Sequence, residues 1–351
     1  MKIPIKFYYH KHLIYLFIRA LCFGLRRLIE IIFFKTSMPL FLMFIGESLS
    51  IFLYLFNNIF LLQKKENINR SIIDDNIKYK SKIKIKIYLM ILICSLSDLI
   101  GCYNFKIIGS NKTNLKNNYN MIFLCIFIAL NEHIYLKIQS YNYHKLGYIL
   151  YLFSLIIDLL ININEFNKSL LFILIISLES QYIESLFYII EKKLNYEHYI
   201  QISYICFLEG IFGIILIVIF YYTSLISDPL IPKKKNNVFI IILYCFLTCI
   251  ANLCRLRVTE ISRPSYNLIG KTLCTLSTNI VSSIFEDNNK KYKWNLTNIL
   301  IMVFSLIGAF IYCEVITLHC LNLDKYITNN IIDRGNRETI EMISFANIEE
   351  E

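Results

Sequence analysis

Stretches of about 20 largely apolar residues recur through almost the whole chain, and that length matches the ~30 Å hydrocarbon core of a bilayer. They lie near 13–34, 38–62, 86–108, 115–136, 144–163, 168–190, 198–222, 236–258, 262–285 and 297–322. The expected fold class is therefore all-α and integral to the membrane, with about ten transmembrane helices. Composition points the same way: 56% of the 351 residues are hydrophobic, 18% are charged and the mean hydropathy is +0.52. A soluble domain of this size needs a larger polar shell. The first segment departs from the pattern, because it holds Arg19, Arg26, Arg27 and Glu30. Charges at the bilayer centre are costly, so this piece either faces a protein interior or lies along the surface.

The first five and the last five segments are offset by about 150–160 residues, as two equivalent halves would be. Because five is odd, the second half must enter the membrane in the opposite orientation. That is the inverted-repeat plan of many secondary carriers, with the substrate site near the midplane between the halves. The expected organisation is a cytosolic N-terminus over 1–12, one five-helix half over 13–163, a second over 164–323 and a polar tail over 324–351. The tail ends in Glu349–Glu351 and reads as disordered. Lys64, Lys65, Arg70 and the alternating Lys78–Lys86 stretch fill one even-numbered loop, and Lys192, Lys193, Arg255, Arg257 and Arg263 fall in others. This asymmetry puts both termini in the cytosol, against the smaller counter-bias of Lys233–Lys235, Lys290, Lys291 and Lys293.

A net charge of +10 would suggest nucleic acid in a soluble protein, but here the basic residues sit between apolar runs, where anionic headgroups attract them. No nucleic-acid-binding motif is present, so membrane lipid and not nucleic acid is the expected partner. The eleven cysteines are scattered singly, with no CxxC pair or spaced Cys/His cluster, so neither a disulfide framework nor a metal site is expected. No small-residue cleavage site follows the first apolar stretch, and no cleavable signal is expected. GxSxG, Walker A and HExxH signatures are lacking, and the expectation is a non-enzyme without a cofactor.

Ionisable groups inside a span are functional hypotheses by default, because an unpaired one in lipid is expensive. Four carboxylates qualify: Glu47, Asp98, Glu209 and Glu314. Glu47 in Gly-Glu-Ser and Glu209 in Glu-Gly-Ile-Phe-Gly hold equivalent places in the two halves. They either line a solute pathway or relay protons, or they pair with a basic side chain and hold helices together. The starts of segments four and nine form a second constellation, with Asn118 and Asn120 in one and Tyr266 and Asn267 after Pro264 in the other. Amide and hydroxyl groups at a helix N-terminus suit an anionic or polyhydroxylic ligand, and they also serve as ordinary caps.

Five short stretches carry a resemblance to a known family. They are Met43-Phe-Ile-Gly-Glu47, Leu96-Ser-Asp98-Leu-Ile-Gly101, Ile189-Ile-Glu191-Lys192, Glu209-Gly210-Ile-Phe212-Gly213 and Val258-Thr259 leading into Ser265. In order and in register over roughly residues 36–323, they resemble motifs of the drug/metabolite transporter superfamily. The nearest likeness is to subfamily F of solute carrier family 35, the nucleotide-sugar-transporter-like carriers. The resemblance implies a ten-helix carrier working by alternating access on a Golgi, endoplasmic reticulum, lysosomal, vacuolar or plastid-like membrane. It also shows departures. The family's Arg in segment four falls at Met121, and its Arg, Asp and Arg in segment nine fall at Asn267, Lys271 and Cys274. Nucleotide-sugar recognition is therefore not carried over.

The resulting expectation is a secondary-active or facilitative transporter of a small polar or anionic metabolite. Asn118, Asn120, Tyr266, Asn267 and Lys271 would line the substrate pathway, and Glu47, Asp98 and Glu209 would support the bundle or relay protons. A second copy of the chain, as a homodimer, is a further candidate partner. The competing expectation is a degenerate carrier that transports nothing and acts as a membrane scaffold or receptor.

Overall fold

The computed structural model of the protein describes residues 5–7, 12–34, 39–56, 85–110, 118–138, 142–162, 168–198, 200–225, 238–285 and 296–318. Most of the basic 64–86 stretch and the whole 324–351 tail lie outside the described residues. Among those described, ten helices follow one another. They are α1 (His12–Ile29), α2 (Leu40–Ser48), α3 (Ile85–Ser110), α4 (Asn118–Leu136) and α5 (Asn142–Asn162), then α6 (Lys168–His198), α7 (Ile202–Tyr222), α8 (Val238–Ile261), α9 (Tyr266–Phe285) and α10 (Leu296–Tyr312). The last turn of α1 widens into a π turn over Glu30–Phe34, and α2 resumes after Leu49 to give an apolar helical run over Leu40–Phe56.

Helix ends follow local chemistry. Pro39 precedes α2 in extended conformation, and Pro264 stands two residues before α9, where its missing N–H costs nothing. α7 and α10 end alike. Ser224 (φ 60°) and Glu314 (φ 58°) turn left-handed, and Leu225 N–H and Val315 N–H reach back to the carbonyls of Phe220 and Phe310 at 2.9 and 2.8 Å. These are Schellman closures built without glycine. They correct the expected tenth segment. It stops at Tyr312 instead of running to 322, and Glu314 lies in a turn, not in a span. The chain then extends, and Ile316–Leu318 pairs antiparallel with Ile5–Phe7 in a two-stranded ribbon, a small exception to the all-α expectation.

Among the described residues, four helices are each long and apolar enough to cross a bilayer, as in a multi-pass membrane protein: Ile85–Asn104 within α3, and α7, α8 and α9. Three shorter helical stretches, Leu40–Phe56, Phe123–Leu136 and Ile299–Tyr312, are also apolar. The core is apolar, yet many large apolar side chains also face outward while several charged ones are buried, which is uncommon in a water-soluble protein. Phe52, Leu89, Ile215, Phe239, Phe246 and Ile284 point outward, whereas Arg19, Arg255, Glu47, Glu191 and Glu209 are buried.

The packing has a regularity of its own. The principal helix pairs are α5–α10, α2–α7, α1–α8, α1–α9, α6–α3, α6–α4, α2–α8 and α3–α7. Replacing each helix by the one five places away turns α1–α8 into α6–α3, α1–α9 into α6–α4, and α2–α8 into α7–α3; α2–α7 and α5–α10 map onto themselves. Individual contacts give the directions. Ser50 meets Ser203 and Phe44 meets Gly213, so α2 and α7 are antiparallel; Leu42 meets Cys245 and Glu47 meets Asn252, so α2 and α8 are parallel. At the α2–α7 contact a Cβ on Gly210 would lie 2.4 Å from Ser48 N, and on Gly46 one would lie 2.6 Å from Cys245 O across α8. Both positions require glycine for backbones to come this close, the usual device for joining helices in lipid.

Candidate functional site

The helical period decides which polar residues can act together. On α6, Gln181, Glu184, Tyr188 and Glu191 follow at spacings of three and four and form one stripe. On α9, Asn267, Gly270 and Lys271 share a face, and on α8 Asn252 and Arg255 do. The α6 stripe reaches two separate polar clusters.

The first cluster sits between α2, α3, α6, α7 and α8. The Arg255 guanidinium lies 3.1 Å from Glu191 Oε1 and 3.4 Å from Glu209 Oε2, and stacks 4.3 Å from the Phe187 ring centroid. Asn252 Nδ2 donates to Glu47 Oε1 at 2.5 Å. Glu47, Glu191, Glu209 and Arg255 are 3% exposed or less. Asp98 stands beside them on α3, half-buried, accepting from Cys102 Sγ at 3.6 Å. One guanidinium thus faces three fully buried carboxyl groups, with an excess of acid. Among the described residues, Glu47 Oε2 and Glu209 Oε1 have no hydrogen-bond partner.

The second cluster is a wedge between α1, α6 and α9. Lys271 Nζ pairs with Glu184 Oε2 and donates to Gln181 Oε1 at 3.2 Å, while Tyr188 OH donates to Glu184 Oε1 at 2.7 Å. Arg19, from the charged first segment, enters beside them and donates to Asn267 Oδ1 at 3.3 Å. Asn267 Nδ2 in turn donates to Thr259 Oγ1 at 2.9 Å. α1 is therefore a helix facing the protein interior, one of the two placements its charges allow.

The bundle end where α9 begins is tied by several polar contacts. Ser265 N–H donates to Glu132 Oε1 at 2.9 Å and Tyr312 OH to Glu132 Oε2 at 3.3 Å, while His144 Nε2 lies 3.1 Å from Glu314 Oε1. Lys192 Nζ donates to the carbonyls of Thr259, Glu260 and Ser262 at 3.0, 3.0 and 2.9 Å. An ammonium is well placed there, at the negative end of α8.

The structure brings Glu47 and Glu209 into one cluster with Asp98 beside them, and Asn267 and Lys271 into the other. Tyr266 is buried edge-on against His12, with centroids 4.2 Å apart, at the end of the bundle. Asn118 and Asn120 fall in the first turn of α4, and their side chains lie outside the described residues. Sequence reasoning did not single out Gln181, Glu184, Tyr188 or Glu132; it left the segment of Arg19 between the interior and the surface, and it assigned no interior role to Glu191 or Arg255. The stripe on α6 was the available signal for several of them. Among the described residues no group of three or more His, Cys, Asp or Glu side chains is arranged to hold a metal ion. Comparison with protein-family models gives no match, and comparison with curated proteins gives none either.

Proposed function

We propose that the chain is a membrane carrier of the drug/metabolite transporter type, built as two inverted five-helix repeats. It moves a small polar or anionic metabolite across an organelle membrane by alternating access, is not an enzyme and keeps both termini in the cytosol. The observation that carries this reading is the five-place correspondence of helix packings, in which α1 lies between α8 and α9 as α6 lies between α3 and α4. Such a bundle can rock one half against the other about a fixed site, and the wedge is lined by α1 from one half and by α6 and α9 from the other. Among the pathway residues whose side chains are described, Lys271 is the most open to a solute, being about one-fifth exposed at its side chain.

Counterflow of labelled sugars, nucleotides, amino acids and short peptides into liposomes holding the purified protein tests this, with and without a pH gradient. Selective accumulation is expected, and Lys271→Ala should abolish it while the variant stays folded. Normal uptake by that variant removes the site assignment. The competing reading, a scaffold or receptor that transports nothing, draws on the closure of both clusters by the protein's own ion pairs, Lys271–Glu184 and Arg255–Glu191. Absence of flux for the whole pool, from folded and inserted protein, favours that reading.

A further inference from the structure

Of the three arginines buried in the bundle among the described residues, Arg19 has the weakest tie to a carboxylate. Arg255 has two carboxylates within ion-pair distance, and Arg26 donates to the Tyr244 phenol at 2.9 Å, which itself donates to Glu30 at 3.2 Å. Arg19 is only 6% exposed, yet among the described residues it forms no ion pair. Its neighbours are the Asn267 amide, the Tyr188 phenol, the Cys274 thiol and, at 5.8 Å, the Phe23 ring. Its Nε, like those of Arg26 and Arg255, has no hydrogen-bond partner among the described residues. Glu184 lies one step further, beyond the Tyr188 phenol that donates to it. A buried guanidinium with no carboxylate in direct contact is costly, and such a group is by default a candidate site for an anion.

The surroundings fit that role. Gly270 clears the space under the side chain, since a Cβ there would come within 3.2 Å of Arg19 Nη1. Lys271 stands one residue further along α9, and directs two of its three N–H groups to Glu184 and Gln181. With Arg19 and Lys271 positive and Glu184 negative, the wedge carries one net positive charge. A guanidinium edge with a free N–H matches the paired oxygens of a carboxylate or phosphate, and an ammonium adds a point charge beside it.

We infer that the wedge between α1, α6 and α9 is an oxyanion site, in which Arg19 holds the carboxylate or phosphate group of the solute with Lys271 and Asn267 beside it. This rests on the carrier reading for the word solute, but binding can be measured without transport. Chloride lacks the paired oxygens and would compete poorly.

The test uses the full chain purified in lipid nanodiscs. Equilibrium dialysis and thermal unfolding are followed with inorganic phosphate, glucose 6-phosphate, succinate and glutamate as probes, against sodium chloride at matched ionic strength and against glucose. Saturable binding of at least one oxyanion is expected, weakened about tenfold or more in Arg19→Gln, less in Arg19→Lys, and also weakened in Gly270→Ala, which keeps the charge but displaces the guanidinium. The phosphate and carboxylate arms show which group is taken. Binding equal in wild type and in folded Arg19→Gln overturns the inference. So does stabilisation that chloride matches, or absence of saturable binding across the panel, and Arg19 then only balances the acidic cluster beyond Tyr188. If Arg19→Gln does not fold, Gly270→Ala decides by the same measure. Arg19-dependent binding without counterflow leaves this inference standing and removes the carrier reading. Counterflow of neutral solutes alone, unaffected by Arg19, does the reverse.

Discussion

The two interior clusters share the α6 stripe and are nevertheless charged in opposite senses. Between α2, α3, α6, α7 and α8, one guanidinium serves Glu191 and Glu209, with Glu47 held by an amide close by. Between α1, α6 and α9, Lys271 pairs with Glu184, and Arg19 stands beside them on the Asn267 amide. The acidic cluster is also the tighter one, because Gly46 and Gly210 let α2 touch α8 and α7 through backbone atoms, whereas Gly270 faces side chains, Leu16 and Arg19. The first has the character of a joint between helices. The second is looser, and its charge is incompletely answered from within. Burial of a charged group therefore does not by itself indicate its role; what surrounds it does.

The sharpest way to break this comparison is to remove each arginine in turn. Arg255→Met leaves Glu191 and Glu209 buried without a counter-charge, and should cost about 3–5 kcal/mol, read as loss of monodisperse protein or a large fall in unfolding temperature. Adding Glu191→Gln and Glu209→Gln to that variant should recover much of the loss. Arg19→Met strands no carboxylate but leaves the buried Asn267 Oδ1 without its donor, so a smaller cost of about 1–3 kcal/mol is expected. Equal losses for the two would show that the clusters are not different in kind.

The glycines sharpen the same contrast at a smaller scale. Gly210→Ala drives a Cβ into Ser48 backbone, and should cost about 1–3 kcal/mol in thermal or denaturant unfolding. Gly270→Ala meets the ends of flexible side chains and should cost clearly less. Glu184→Gln weakens the ion pair with Lys271 but keeps a hydrogen-bonding group, so a loss of about 1 kcal/mol is expected. Lys192→Met removes the cation from the C-terminal carbonyls of α8. That position lies at the rim of the bundle, and about 0.3–1 kcal/mol is expected from the same unfolding measurement.

Much of the fold could be read from the chain before any contact was known. The apolar runs located ten helices to within a few residues in most cases, because helix formation in an apolar medium depends on local length and composition. The tenth overran, since a left-handed residue at Glu314 carries no signature when it is not glycine. Of the site, the buried carboxylates Glu47 and Glu209 were legible from their cost in lipid and Asn267 from the start of its helix, whereas Lys271 entered only through the family resemblance. Arg19 read as an obstacle to a membrane span, and its role depends on Asn267, 248 residues away in sequence. Likewise Glu47 meets Asn252 across 205 residues.

The sequence by itself determined that this protein builds apolar helices and buries a few charged groups among them. Which of those groups meet, and so which cluster is acidic and which is cationic, was decided only by the tertiary structure. Periodicity places a side chain on a face of its own helix, but the face it meets belongs to a distant segment, and packing alone brings the two together.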